Sequence, residues 1–260
     1  MKKTERQEQR ILEQLRHKNT MTLAQAMELL GVSESTVRRL FIRLENSGAA
    51  MRRYGGIQLL HDSIAVDYQY EQVEEQYVLQ KQLIGRYAAQ MVENDDVLYL
   101  DSGTTMACFC KDLAARISSG QLSKLTVFTN SLVNLEILSP ILTVNLIGGE
   151  HRSNRRDFCG YLAEEMVNSL HFSKCFLGAD GFHLRYGFTA TDFYTARLNE
   201  LVLSNADRRY ILMDSSKFMT ASVVSYSREQ KIDAVITDRS PEEPLAQRLA
   251  DDGTEILVCF

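Results

Sequence analysis

The chain has 260 residues, enough for a small domain followed by a medium-sized one, and 45% of them are hydrophobic, so a core can be buried. No apolar run reaches the ~18 residues that span a bilayer, and the charged N-terminus is unlike a signal peptide, so we expect no membrane contact and a cytoplasmic protein. The net charge is −5, yet residues 1–60 carry eleven Lys and Arg against six acids, so the remainder is strongly acidic. This asymmetry suggests a nucleic-acid module joined to a part that does not bind nucleic acid.

The first 60 residues have the pattern of a winged helix-turn-helix domain. Apolar spacing predicts helices from about Thr4 to His17, from near Thr22, and from Ser33 to Asn46. Ser33 is the expected N-cap of the third helix. Strands around Met51 and at Ile57–Leu59 would form the wing. In such a domain the third helix enters the major groove and the basic wing contacts the DNA backbone or minor groove.

The third helix has an apolar and a basic side. Its inward positions are Val37, Leu40, Phe41 and Leu44. The arginines in its middle are placed to read bases, the hydroxyls at its start to reach phosphates or base edges, and the remaining arginines to contact the backbone. The predicted DNA-binding residues are Ser33, Ser35, Thr36, Arg38, Arg39, Arg43, Arg52 and Arg53.

Residues 61–75 form the expected linker, and residues 76–260 the second domain. A helix from about Glu74 to Met91 opens this domain and is our candidate for transmitting a signal to the DNA-binding part. Short apolar runs then alternate with helical patterns, which predicts an α/β domain with a mostly parallel sheet covered on both faces. The predicted strands are Val97–Leu100, Leu125–Phe128, Leu142–Ile147, Cys175–Leu177, Tyr210–Met213, Ala234–Ile236 and Glu255–Val258.

The first of these strands leads into Asp101-Ser102-Gly103-Thr104-Thr105 and then a helix. Free N–H groups and the positive end of the helix dipole favour an anion such as phosphate at this position. The three hydroxyls could add donors. An ordinary capped turn between strand and helix explains the same residues and stays an alternative.

Similar polar or glycine-rich segments follow four other strands, and parallel strands end at one edge of a sheet, so we expect them to converge. Lys217 supplies a point charge and Arg152 a fork for phosphate, while Asp101 and Asp180 can accept hydrogen bonds from sugar hydroxyls. The simpler interpretation of Arg155 and Arg156 is a pair of solvated side chains on the surface. The predicted effector-binding residues are Asp101, Ser102, Gly103, Thr104, Thr105, Asn130, Ser131, Gly148, Gly149, Arg152, Asp180 and Lys217.

No metal site or cofactor is expected, because the five cysteines and five histidines show no C-x-x-C pair and no metal-ligand spacing. Buried, reduced thiols account for the cysteines.

The ordered motifs resemble those of the DeoR family of bacterial regulators over about residues 5–240. In the first domain these are Val32-Ser33, Thr36-Val37-Arg38-Arg39, Leu44-Glu45, Gly48 and Arg52 to Gly56. In the second they are Leu100–Thr105, Thr129–Ser131, Gly148–Gly149, Gly178–Gly181, Asp214–Phe218 and Ile236–Asp238. One departure is that Leu40 stands where the family usually has Asp.

The resemblance implies a repressor of carbohydrate utilisation that binds operator DNA as a homo-oligomer, dimer or tetramer. It implies a sensor domain similar to ribose-5-phosphate isomerase that binds a phosphorylated sugar and releases the operator. The isomerases have Glu after G-A-D and a lysine in a nearby glycine-rich loop. Here Gly181 and Tyr186-Gly187-Phe188-Thr189 occupy these places, so we expect binding without turnover.

Three alternatives remain open at this point. The chain could be an active sugar-phosphate isomerase or lyase with a regulatory head. It could bind a nucleotide, although it has neither G-x-G-x-x-G nor G-x-x-x-x-G-K-[ST]. Or the second domain could serve only for dimerisation.

Overall fold

The computed structural model describes residues 7–8, 10–12, 14–15, 20–46, 50–53, 55–59, 68–227 and 230–260. The chain divides into two compact units, Met1–Val66 and Asp67–Phe260. The domain bounds 1–60, 61–75 and 76–260 stay predictions. None of the helices in the described ranges is long and apolar enough to cross a membrane.

The N-terminal unit combines helices with a small antiparallel sheet. Residues 7–8, 10–12 and 14–15 are helical, within the predicted first helix. The further elements are β1 (Thr20–Thr22), α1 (Leu23–Leu30), α2 (Glu34–Asn46), β2 (Ala50–Arg53) and β3 (Gly56–Leu59). The strand order is β1-β3-β2. The wing strands are thus found as expected, and β1 adds a third that the sequence pattern did not predict.

The strand β1 was not predicted because its last residue, Thr22, is also the N-cap of the helix that follows. At the start of α1, the Thr22 hydroxyl accepts the N–H of Gln25 and the Gln25 side chain accepts the N–H of Thr22. This reciprocal pair is a capping box, which satisfies two N–H groups that a helix start leaves open.

The apolar side of α2 is the centre of the N-terminal core, as its spacing predicted. Val37, Leu40, Phe41 and Leu44 are all at most 3% exposed. Leu40 therefore fills the core where the family usually has Asp. The fold tolerates the exchange because the leucine packs among other buried apolar side chains.

The C-terminal unit is built on a seven-stranded sheet in which every neighbouring pair is parallel. The strands are β4 (Val97–Leu100), β5 (Thr126–Thr129), β6 (Val144–Leu146), β9 (Phe172–Gly178), β12 (Ala206–Leu212), β14 (Ala234–Thr237) and β15 (Glu255–Val258). Their order across the sheet is β15-β14-β12-β9-β4-β5-β6. All seven predicted apolar runs are confirmed as strands of one α/β sheet.

Helices cover both faces of this sheet. They are α3 (Tyr70–Glu74), α4 (Val78–Gln90), α5 (Thr104–Ser118), α6 (Leu132–Leu138), α7 (Tyr161–Asn168), α8 (Phe193–Ser204) and α9 (Leu245–Asp251). Alternate residues of one strand enter separate core clusters. Leu98 packs with the α4 and α5 side chains, whereas Tyr99 packs with those of α7 and α8.

Smaller strands form two further sheets that the sequence pattern did not predict. One is the hairpin of β7 (Glu150–Arg152) and β8 (Asp157–Cys159). The other contains β10 (Gly181–His183), β11 (Gly187–Ala190) and β13 (Val224–Ser225). These strands have two to four residues each, too short to show a periodicity.

Gly85 allows α4 and α5 to pack closely. A Cβ added at Gly85 would lie 2.6 Å from the backbone N of Phe109. We expect Gly85→Ala to reduce the free energy of unfolding by about 1–3 kcal/mol, the usual cost of overpacking. Urea denaturation measures the change, and Gln82→Ala, at an exposed position of the same helix, is the control. An unchanged midpoint for Gly85→Ala would contradict the close packing.

Candidate functional site

A cavity lies at the carboxyl edge of the large sheet, where β4, β9 and β12 end. Seven of the twelve predicted effector-binding residues are in its wall, namely Asp101, Ser102, Gly103, Thr104, Thr105, Asp180 and Lys217. Three of the five predicted strand ends therefore meet at one cavity. The space inside it is about 50 Å³.

The N-terminus of α5 opens onto this cavity. Gly103 precedes the helix with φ 118°, a backbone conformation that suits glycine, and no side chain of the described residues caps the first turn. The first N–H groups of α5 consequently lack a cap, and the dipole of this 15-residue helix adds partial positive charge there.

One lysine, Lys217, lies in the cavity wall, and a second, Lys81, lies behind it. Lys217 follows β12, and its Nζ donates to the carbonyl of Ala179 at 2.7 Å. Lys81 of α4 is only 3% exposed and donates to the carbonyl of Val73. Burial lowers the pKa of Lys81, and the nearby charge of Lys217 lowers it further. Two positive charges that repel each other in this way favour an anion nearby.

Asp101 is held by N–H groups around it. Its carboxylate accepts the backbone N–H groups of Ser102 at 2.7 Å and Gly178 at 3.0 Å, and the Asn199 amide lies 3.5 Å away. Burial raises the pKa of Asp101 to about 6, against the opposing effect of the two backbone N–H groups. Both carboxylate oxygens thus already accept hydrogen bonds from the protein. The main effect of Asp101 is therefore to join the ends of β4 and β9, not to contact a ligand.

Asp180 and Arg155 place opposite charges on the cavity wall. One oxygen of Asp180 accepts the N–H of Thr191, and Arg155 donates to the hydroxyl of the same residue at 2.8 Å. Arg155 is 11% exposed, so the interpretation of a solvated pair is wrong for it. Arg156 is more exposed and pairs with Glu136 on the surface.

Five predicted effector-binding residues lie outside the cavity wall. Asn130 donates to the carbonyl of Phe158, and Ser131 caps α6 by accepting the N–H of Asn134. Gly148 and Gly149 belong to the turn into β7. A Cβ at Gly149 would lie 2.3 Å from the Cys159 carbonyl, so glycine is needed there for close packing of the hairpin.

Arg152, the fifth, is engaged with carboxylates. It donates two N–H groups to Asp157, at 2.8 and 2.7 Å, and one to Asp192 at 2.9 Å. Asp157 has no exposed side-chain area and also accepts the Ser102 hydroxyl at 2.9 Å. Arg152 therefore joins loops of the protein together and does not present its fork to the cavity.

Sequence reasoning missed four polar residues of the site: Tyr68, Lys81, Arg155 and Thr195. Tyr68, Arg155 and Thr195 are in the wall, and Lys81 lies behind it. Burial raises the pKa of Tyr68 to about 12, which keeps its phenol neutral. The sequence did hold one signal for Lys81, because this lysine stands at a position of α4 where the helical spacing predicts an apolar residue. The others come from segments whose placement depends on tertiary packing.

The outer side of α2 is the candidate DNA interface. Ser35, Arg38 and Arg39 are exposed, and Ile42, 38% exposed, shares this face. Arg38 forms an i,i+4 ion pair with Glu34 at 2.7 Å. Ile42 was not predicted, and its apolar side chain is suited to contact with a thymine methyl.

Hydroxyl groups cluster at the start of α2. The Ser33 hydroxyl lies 3.1 Å from those of Ser35 and Thr36, so the contacts observed for it differ from the expected N-cap bond. Arg43 pairs with Glu8. Arg52 and Arg53 belong to the predicted wing, where they end the strand β2, and their side chains are outside the described part of the structure.

The fold thus combines a winged helix-turn-helix unit with a separate parallel-sheet unit that contains a polar cavity, an arrangement of DNA-binding regulators. A family model of the DeoR-like helix-turn-helix domain matches residues 6–63, and one of the DeoR C terminal sensor domain matches residues 76–239. The chain therefore belongs to the DeoR family of transcriptional regulators. The resemblance inferred from the motifs is confirmed.

Named relatives extend over nearly the whole chain. The lactose phosphotransferase system repressor of Streptococcus mutans is 30% identical over 99% of this chain and 100% of its own length. The HTH-type transcriptional repressor GlcR of Bacillus subtilis is 31% identical over 95% of this chain and 93% of its own. Among solved structures, ribose 5-phosphate isomerase A of Methanocaldococcus jannaschii matches with a TM-score of 0.40 and 18% identity, covering 53% of each chain.

Asp101 makes stability depend on pH. Its folded-state pKa of about 6 exceeds the ordinary 3.8. The protonated carboxyl group therefore adds to the free energy of unfolding below about pH 4, and this contribution is lost as pH rises through 6. The shift corresponds to about 3 kcal/mol. We expect urea denaturation at pH 4.5 and 7 to show that Asp101→Asn gains stability relative to wild type as pH rises. Asp95→Asn, at an exposed position, is the control, and a pH-independent difference for Asp101→Asn would contradict the assignment.

Proposed function

We propose that this regulator represses a carbohydrate-utilisation operon and is released from its operator by a phosphorylated sugar bound in the cavity. The observation that carries the proposal is the meeting of the uncapped α5 N-terminus with Lys217 in the cavity wall, with the charge of Lys81 behind that wall. The names of the two relatives, a lactose phosphotransferase system repressor and GlcR, support the regulatory role and the carbohydrate link. A regulator that binds operator DNA would act in the cytoplasm.

The phosphate would be held at the α5 end of the cavity. The N–H groups of Thr104 and Thr105 and the threonine hydroxyls are donors of the kind that phosphate oxygens accept. Lys217 adds a full positive charge. A dianionic phosphate would also relieve the repulsion between Lys217 and Lys81.

The sugar would extend toward Asp180 and Arg155. A carboxylate accepts hydrogen bonds from hydroxyl groups, and a guanidinium donates to hydroxyl or carbonyl oxygens. This end of the cavity can therefore orient a polyhydroxylated chain or ring. Asp101 acts here mainly by fixing the backbone of Ser102 and Gly178, which belong to the wall.

Release from DNA requires the effector to prefer one of two states. A 100-fold loss of operator affinity takes roughly 2.7 kcal/mol of differential binding. One or two charge-assisted hydrogen bonds made in only one state are enough, since each contributes about 1.5–3 kcal/mol.

We further propose that the sugar phosphate is bound without turnover. In the isomerases a Glu follows G-A-D, and here Gly181 takes its place. A Cβ at Gly181 would lie 2.6 Å from the Thr220 carbonyl, so this backbone leaves no room for an acidic side chain. An assay for isomerisation of ribose 5-phosphate tests the point, and measurable turnover would refute it.

DNA binding is assigned to the outer side of α2 and to the wing. Arg38, Arg39 and Ile42 would face base edges, the hydroxyls of Ser33, Ser35 and Thr36 phosphates or bases, and the remaining arginines the backbone. One small module buries about 600–1,000 Å² and is seldom specific alone. We therefore propose a homo-oligomer, dimer or tetramer, that places two such units on half-sites.

A surface for this association is present on α7. Tyr161, Leu162 and Met166 are 71%, 65% and 40% exposed and share one side of the helix. Glu165 lies among them, and Arg197 of the neighbouring α8 is also exposed. Arg197 is paired with Glu164 and Glu200 of its own chain, so the apolar side chains are the part of this surface that suits a second copy.

Lys217→Ala should retain operator affinity within about threefold, because Lys217 and α2 belong to different compact units. The same variant should lose the response to effector. Fluorescence anisotropy with operator DNA, with and without hexose and pentose monophosphates, measures both. Lys231→Ala, at an exposed lysine outside this cavity, is the control. Unchanged release of Lys217→Ala would refute the pocket assignment.

Arg38→Ala should weaken operator binding by about 1–3 kcal/mol if the arginine reads a base. The same change should leave binding to random DNA within about threefold. Titrations of operator and random duplexes at one salt concentration measure the difference, with Arg43→Ala as the variant expected to affect both duplexes alike. Equal losses for Arg38→Ala on both would make Arg38 a phosphate contact.

A further inference from the structure

Residues Tyr68–Glu74, which we call the strap, run beside the effector cavity. Tyr68 and Val73 are part of the cavity wall. The backbone of the strap is joined to Asn154, in the turn between β7 and β8. The Asn154 side chain donates to the Tyr68 carbonyl at 3.1 Å, and the Tyr70 N–H donates to the Asn154 carbonyl at 2.9 Å.

Arg155 connects the strap to the cavity at one end. Its guanidinium carbon lies 4.1 Å from the centre of the Tyr68 ring, a cation–π contact. The same side chain is in the cavity wall, and its buried Nε makes no hydrogen bond among the residues that the structure describes, although the Asp157 carboxylate lies 3.6 Å away. A ligand oxygen that reached Arg155 would gain this donor and compete with Tyr68, Asp157 and Asp192 for the cation.

Lys81 connects the strap to the cavity at the other end. Its Nζ donates to the carbonyl of Val73, and its charge interacts with that of Lys217 in the cavity wall. An anion bound beside Lys217 would attract Lys81 as well. Both ends of the strap are thus held by cations that a sugar phosphate would also engage.

The space inside the cavity, about 50 Å³, is small beside the ~300–1,000 Å³ of typical ligand pockets. We therefore expect one wall to move when a sugar phosphate binds. Most of the wall consists of strand ends and the start of α5, which the sheet fixes. The helix α4, our candidate transmitter from the sequence, is fixed to α5 at Gly85. In the strap, the Tyr70 side chain packs against Ala107 and Val133, but its buried hydroxyl finds no hydrogen-bond partner in the described part of the chain. An unpaired buried hydroxyl costs about 1–3 kcal/mol, which lowers the cost of moving the strap.

We propose that the strap is the effector-responsive wall of the sensor cavity: a sugar phosphate takes Arg155 and Lys81 as partners, displaces the strap, and so changes the chain segment that follows the DNA-binding unit. This inference rests on the proposed function, because it uses the same cavity and ligand class. It replaces α4 by the strap as the transmitting element. Residues 60–67 connect β3 to the strap in the sequence, so its displacement acts on the connection to the winged helix-turn-helix unit.

Hydrogen exchange of the full-length protein tests the displacement directly. The Tyr70 amide is protected by the Asn154 carbonyl. Glucose 6-phosphate, glucosamine 6-phosphate, ribose 5-phosphate and inorganic phosphate are added separately, and thermal melting shows which of them binds. With a probe that binds, we expect amides of the strap to exchange about tenfold faster while those of α4 stay unchanged. A probe that raises the melting temperature without changing strap exchange would overturn the inference and leave the proposed function intact.

Asn154→Ala provides a second test, since Asn154 fastens the strap but is not part of the cavity wall. This variant should exchange strap amides faster without ligand, bind the operator about tenfold more weakly and bind the active probe more tightly, because the displaced state is already populated. Asn145→Ala is the matched control, as it also removes one side-chain bond to a backbone carbonyl, that of Val127. Asn154→Ala and Asn145→Ala behaving alike would overturn the inference. Melting unaffected by every probe would refute the proposed function and the strap mechanism with it.

Discussion

One buried carboxylate holds the loops of the C-terminal unit in place. Asp157 accepts two N–H groups from Arg152 and the hydroxyl of Ser102, and Arg152 continues to Asp192 at the start of α8. Loops from distant parts of the sequence are thereby joined. Removing one partner of a buried ion pair leaves an uncompensated charge and costs about 3–5 kcal/mol. The position of Ser102 in the cavity wall depends on this cluster.

Because of this cluster, one side of the cavity is more rigid than the other. On one side, ion pairs and strand ends fix the groups that would receive a phosphate. On the other side, Tyr68 is held by one cation–π contact with Arg155 and by one hydrogen bond from Asn154 to its carbonyl. A ligand can therefore find its donors already oriented and still have a wall to displace. A binding site that is rigid throughout would bind well but would transmit little, because it would have only one state.

The sequence was most informative where a local pattern determines the structure. The seven strands could be predicted from short apolar runs, and the buried face of α2 from the spacing of Val37 to Leu44. The cavity was predictable in part, because strand ends of a parallel sheet meet at one edge. Arg152 was not, since its partners Asp157 and Asp192 become neighbours only through the hairpin and α8. Tyr68 and Arg155 were missed for the same reason.

The ion pair between Arg38 and Glu34 has a consequence for how the protein searches a genome. The guanidinium is paired with Glu34 on the same helix, so a random duplex would meet less positive charge on this face. An exposed pair of this kind contributes at most about 1 kcal/mol, and a guanine could replace Glu34 as the partner if Arg38 reads a base as we propose. Cognate sites would then compete better with the far larger number of unrelated ones, and fewer molecules would be retained along the chromosome.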